Sequence, residues 1–113
     1  QGGYKATRAL LERRPDVTAI FASNDLMAIG AMQAGKEMGR RIPEDLAVVG
    51  YDDIPEAAYT SPPLTTVRLP KEELGRTAAE VLIQKLRGER TDQPLTVIYE
   101  TELIVRQSCG ANR

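Results

Sequence analysis

Two short apolar runs, residues 17–22 (VTAIFA) and residues 46–50 (LAVVG), set the strongest limit on what this chain can fold into. Each lacks polar alternation and is closed by turn formers. Pro15-Asp16 and Ser23-Asn24-Asp25 bound the first, while Pro43-Glu44 precedes the second and Tyr51-Asp52-Asp53 follows it. Runs of this kind read as strands buried on both faces, and such strands need helices as covering layers.

The remaining segments supply those helices. Tyr4, Thr7, Leu10 and Leu11 recur at three and four residues, which predicts a helix over residues 4–14 ended by Pro15. Residues 26–38 return to that spacing through Leu26, Ile29 and Met32, with Ser23-Asn24-Asp25 supplying the N-cap and Gly39 the C-cap. A third helix has Pro70 at its first position, Glu72 and Glu73 in its first turn, an apolar face of Leu74, Ala78, Val81, Leu82 and Leu86, and a stop at Gly88. A helical turn to Tyr59 and the break Ser61-Pro62-Pro63 precede a third strand over residues 64–67. Residues 95–105 alternate like a half-exposed strand, with Glu100 to Glu102 a point of interruption. This order predicts an α/β fold with a mainly parallel sheet and flanking helices.

Composition removes whole classes of function. The chain has 113 residues, one domain at most, with 42% apolar and 27% charged residues, too hydrophobic for a disordered tail. A formal net charge of −1 gives no global field that would recruit nucleic acid or a membrane. No apolar run is long enough to span a bilayer, and nothing resembles a signal peptide. There is no histidine, and Cys109 is the single cysteine, so Cys/His zinc sites, disulfides and Ser-His or Cys-His nucleophiles are out of reach within one chain. No catalytic residue, metal or cofactor is expected. The chain begins at Gln1 in place of methionine and reads as a piece of a longer protein.

What remains is the polar chemistry at the strand ends. In a parallel α/β sheet, ligands bind beyond the carboxyl ends of the strands. Ser23-Asn24-Asp25 and Tyr51-Asp52-Asp53 both fall there. Amide and carboxylate groups on one rim suit a neutral polyhydroxylated ligand, because a carboxylate accepts from adjacent hydroxyls while an amide donates and accepts. The same residues equally serve as helix caps or turns with no ligand. Oxygen-rich clusters also hold magnesium or calcium. An acidic pair after the second strand, with Lys71 behind a proline, is nevertheless the wrong order for a phosphoryl-accepting receiver domain. Arg13-Arg14, Arg40-Arg41 and Arg87 lie at predicted helix C-termini, where cations complement the helix dipole, so they are a poor DNA-binding surface.

The run AIFASNDLMAIGAMQAGKEMGRRIPEDLAVVGYDDIPEAAYTSPPLTTV strongly resembles the C-terminal subdomain of LacI/GalR transcriptional repressors, as do GGYKATRALL before it and LGRTAAEVLIQKL and ELIVRQS after it. The pieces SNDLMAIGA, VVGYDDI and PPLTTV are specific in this order and spacing. The resemblance implies the C-terminal subdomain of a periplasmic-binding-protein-like type I fold, in which a small effector lies in a cleft between two α/β subdomains. It implies that Asn24 and Asp52 hydrogen-bond the effector, that Asp25 caps its helix, and that Tyr51 and Asp53 support the site. Ala28, Ile29 and Met32 become candidate contacts of a homodimer, with plain core packing as the alternative. By the same likeness, residues 1–68 and 95–108 form the C-terminal subdomain. The helix within 70–88 would then pack on the other, absent subdomain, and it needs cover by folding back or from a second copy.

The function this implies is a non-enzymatic cytoplasmic switch. A sugar or related metabolite biases cleft closure, and operator DNA is bound only through a separate N-terminal head. The alternative is a periplasmic sugar-binding protein of a transport system, which shares the fold.

Overall fold

The computed structural model describes residues 2–89 and 96–111. They fall into two units, one formed by the chain up to Arg68 and again from Glu102 onward, the other by Leu69–Thr101.

The first unit opens with helix α1 (Gly2–Arg13), then strand β1 (Ala19–Phe21), helix α2 (Asp25–Glu37), strand β2 (Ala47–Val49), a 3-10 turn (Pro55–Tyr59), strand β3 (Thr66–Arg68) and, after the second unit, strand β4 (Glu102–Ile104). β1 and β2 run parallel with Ile20 opposite Val48. The parallel pairing passes to β3 through bridges joining Val49 to Thr65 and Asp52 to Arg68. β4 closes against β3 in the antiparallel sense, Val67 opposite Leu103. The mainly parallel α/β architecture is therefore present, with shorter strands than the apolar runs predict.

Small residues explain how α1 and α2 pack so closely. Gly3 lies against the α2 backbone, where a Cβ would stand 2.7 Å from Met27 Cα. Ala28, Gly30, Ala31, Ala34 and Gly35 are buried on α2, so it is enclosed on more than one face, as a central helix should be. The core joins Leu11, Ala28, Met32, Ile42, Leu46, Val48, Ala57 and Leu64. Each large side chain so buried contributes about 1.5–3 kcal/mol. Arg13 ends α1 in its last turn, and Gly39 takes a positive φ of 83° just beyond α2, both as the sequence predicts.

Three expectations need correction. β1 is not buried on both faces: Ala19 and Phe21, which share the face opposite Ile20, are exposed, Phe21 to 67%. The strand expected over residues 95–105 is reduced to Glu102–Ile104, and Leu95 lies outside the described residues. Alternation reports which way side chains point, but pairing needs a partner strand, and β3, three residues long, supplies one only for Glu102–Ile104.

The third correction concerns the second unit. Its helix α3 (Lys71–Leu86) starts one residue later than predicted, with Pro70 as the capping residue. No residue of α3 is buried. Val97 and Tyr99 run beside Leu74, Ala78, Val81 and Leu82, and the Tyr99 hydroxyl is hydrogen-bonded to Thr77 Oγ1. No described helix is long and apolar enough to cross a membrane.

Candidate functional site

The parallel register places the two polar clusters on one rim. Ala22 N–H donates to Val49 O at 2.8 Å, so β1 and β2 end level with each other. Just beyond, Asp25 N–H donates to Tyr51 O at 3.0 Å and ties the two loops together. Gly50 N–H donates to Thr65 O and Asp52 N–H to Val67 O, which brings β3 alongside and leaves Arg68 at the same edge.

Each polar side chain on this rim then takes a distinct part. Asn24, not Asp25, caps α2. Its backbone is extended, and its Oδ1 accepts from Met27 N–H at 2.8 Å. The capping part expected of Asp25 is thereby corrected, because Asp25 is the first helical residue and its carboxylate turns inward. Fully buried, it accepts from the Thr66 hydroxyl at 2.6 Å and from Ile54 N–H at 2.9 Å. Its place at a helix N-terminus also favours negative charge. Gly50 makes room for it: a Cβ there would fall well inside contact distance of Asp25 Oδ1.

Asp53 is held from the other side. Its carboxylate, 9% exposed, receives Arg68 Nε at 2.7 Å and pairs with Arg106 Nη2 at 2.9 Å. Burial pushes this carboxyl upward, but the hydrogen bonds from Arg68 and Arg106 more than offset it and hold it below the ordinary carboxylate range. Asp52 differs from both neighbours. It is half-buried, and among the described residues its carboxylate has no hydrogen bond or ion pair. Tyr51, also half-buried, contributes its backbone carbonyl to the loop contact. Asp52 and Asp53 both take positive φ, 127° and 55°. Consecutive non-glycine residues in that region are uncommon and cost of order 1–3 kcal/mol each.

The rim can therefore accept hydrogen bonds at Asp52 and donate one from Asn24 Nδ2, whose partner oxygen is committed to the cap. The Asp53 clamp sets two guanidinium groups against one carboxylate, so the acceptor the rim offers to a ligand is the Asp52 carboxylate, which suits neutral hydroxyls. Among the described residues no group of three or more acidic or sulfur side chains could hold a metal ion.

Residues 1–109 match the family described as the periplasmic binding protein-like domain. The chain belongs to that family. It is 47% identical over 106 residues to the HTH-type transcriptional regulator CelR of Thermobifida fusca, covering 94% of this chain and 31% of CelR. The structure of a CelR-cellobiose complex superposes with a TM-score of 0.89 at 47% identity, over 94% of this chain and 32% of that one. A dimeric Lac repressor follows at TM-score 0.83 and 34% identity, over 95% and 39%. A LacI family regulator from Arthrobacter sp. FB24 in complex with lactose gives 0.80 and 39%, over 94% and 40%. The domain thus spans about a third of the length of these proteins, and they are transcriptional regulators of the LacI type, not transport proteins.

The proposed homodimer contacts separate on burial. Ala28 and Met32 are enclosed in the core at 0% and 3% exposure, the plain core packing expected as the alternative to a dimer contact. Ile29 stays half-buried, beside Thr60 and Ser61 in a shallow groove, with Leu26 exposed one helical turn away and Tyr59 exposed just before Thr60. Sequence reasoning missed Thr66, Arg68 and Arg106. A threonine and an arginine in a strand carry no local sign of the carboxylates they will meet. Gly50 did carry one, since glycine between a buried strand and a polar turn marks close backbone approach.

Proposed function

We propose that this domain forms one wall of the effector site of a LacI-type transcriptional regulator, and that the effector is a neutral sugar, with a disaccharide such as cellobiose the first candidate. The observation that carries this reading is the uncommitted Asp52 carboxylate on a rim where Asp25 and Asp53 are fully engaged. Asp52 accepts from sugar hydroxyls, Asn24 Nδ2 donates to one, and Tyr51 lines the approach. The cellobiose and lactose complexes of similar proteins support the ligand class.

In this reading residues 69–101 belong with the other half of the sensor. Sugar binding shifts an equilibrium between cleft states, and a separate head binds operator DNA in the cytoplasm. No chemistry is performed on the ligand. Leu26, Ile29 and Tyr59 form part of a face that a second copy covers, in keeping with the dimeric Lac repressor.

The test is thermal unfolding of the full-length protein with cellobiose, lactose and glucose 6-phosphate. A ligand at 100 times its Kd stabilises the state it binds by about 2.7 kcal/mol. Cellobiose should raise the midpoint and the phosphate ester should not. A response to the anionic sugar alone would overturn the assignment of a neutral ligand.

A further inference from the structure

The loop that presents Asp52 is strained, yet it is fastened at three successive amides. Asp52 N–H donates to Val67 O at 2.8 Å, Asp53 N–H to Thr66 Oγ1 at 3.3 Å and Ile54 N–H to Asp25 Oδ2 at 2.9 Å. Two of these acceptors are side chains, and Thr66 joins them by donating to Asp25 Oδ1. The Asp53 carboxylate completes the enclosure, since Arg68 reaches it from the end of β3 and Arg106 from the segment after β4. Arg106 is itself anchored, donating from Nη1 to Leu64 O at 2.9 Å. Positive φ at two adjacent aspartates persists only where the surroundings over-determine it.

We propose that Asp53, clamped between Arg68 and Arg106, is a positioning residue that holds the Asp52 carboxylate in its binding orientation without touching the effector. The inference rests on the reading of Asp52 as the effector-binding group. It makes the rim geometry depend on β3 and on the chain returning through β4, the two places where the first unit leaves off and resumes. Asp53→Asn would keep the shape of the side chain and its tolerance of positive φ, but would replace one acceptor with a donor facing an arginine. Arg68 is half exposed, so exchanging it perturbs the clamp with little burden on folding.

The experiment compares wild type, Asp53→Asn, Arg68→Met, Arg68→Lys and Asp52→Ala in the full-length protein. It measures amide hydrogen exchange of residues 51–54 without sugar, and cellobiose affinity by calorimetry. Asp53→Asn and Arg68→Met should accelerate exchange in the loop at least tenfold while α2 and β2 keep their protection, and should weaken cellobiose at least fivefold. Arg68→Lys should recover part of both. Unchanged loop exchange in Asp53→Asn overturns the clamp. Accelerated exchange with unaltered affinity, while Asp52→Ala loses binding, overturns the positioning part. Cellobiose binding that survives Asp52→Ala overturns the underlying assignment, and with it any positioning of Asp52 for this ligand.

Discussion

Replacing Gly50 by alanine should damage this domain far more than a single methyl group would ordinarily do. The new Cβ would collide with Asp25 Oδ1, and would also stand 3.1 Å from Leu64 Cδ2 and 3.2 Å from Ala28 Cβ. The two apolar neighbours can yield by a few tenths of an ångström. The carboxylate cannot move without giving up its bond from Thr66 or from Ile54 N–H. A hydrogen bond to a charged group contributes about 1.5–3 kcal/mol. Overpacking a closed site adds about 1–3 kcal/mol. The gain from a stiffer unfolded chain, about 0.4–1 kcal/mol, is too small to compensate. A net loss of about 1.5–5.5 kcal/mol follows, a large share of the roughly 5–15 kcal/mol that typically separates folded from unfolded states.

Urea unfolding of the full-length protein measures it, with an unchanged slope showing that the same unit unfolds. A double-mutant cycle isolates the cause. In an Asp25→Ala background the collision with the carboxylate is gone, so Gly50→Ala should then cost less by about 1.5 kcal/mol or more. A loss below about 1 kcal/mol in the single variant, or strict additivity in the cycle, would refute the reasoning.

Ser108→Ala tests the junction behind the rim. The buried Ser108 hydroxyl donates to Val48 O at 2.6 Å and accepts from Thr65 N–H at 2.8 Å, so its removal strands a buried amide and should lower stability by about 1–3 kcal/mol in the same urea assay. A change under about 0.5 kcal/mol would mean that water replaces the hydroxyl at no cost. Leu26→Glu places a charge on the exposed face shared with Ile29 and Tyr59, and should shift the full-length protein from dimer toward monomer in sedimentation velocity. An unaltered sedimentation coefficient across concentration would remove that face from the dimer.

The legible parts of this fold were those written in local periodicity. α1, α2 and α3 follow from apolar spacing and from their stops at Pro15, Gly39 and Gly88, each a steric fact about one residue. The strand positions followed too, but their exposure did not, because an apolar run states what a strand needs and not what its neighbours provide. Phe21 shows the difference, being apolar, extended and largely uncovered. At the site, Asn24, Asp52 and Asp53 could be located from strand ends, yet position alone did not tell their parts apart, and only the family resemblance separated Asp52 from Asp53. Three consecutive cap-forming residues offer one cap, and backbone conformation decides for Asn24. Asp25 and Asp53 are distinguished from Asp52 by Thr66, the Ile54 amide, Arg68 and Arg106, which lie between 15 and 53 residues away along the chain and meet them through tertiary pairing. The burial of Ala28 and Met32 could not be read from spacing for a related reason, since a helical face reads alike whether it meets a core or a partner.

The central claim, that Asp52 is the carboxylate a sugar binds, is tested most directly by titrating cellobiose into the full-length protein and its Asp52→Ala variant by calorimetry. Asp52→Asn, which tolerates the left-handed backbone better, serves as the folding control. Both should unfold cooperatively, and Asp52→Ala should bind at least tenfold more weakly than wild type, about 1.4 kcal/mol or more of binding free energy. Equal affinity in a variant that remains folded would contradict the account.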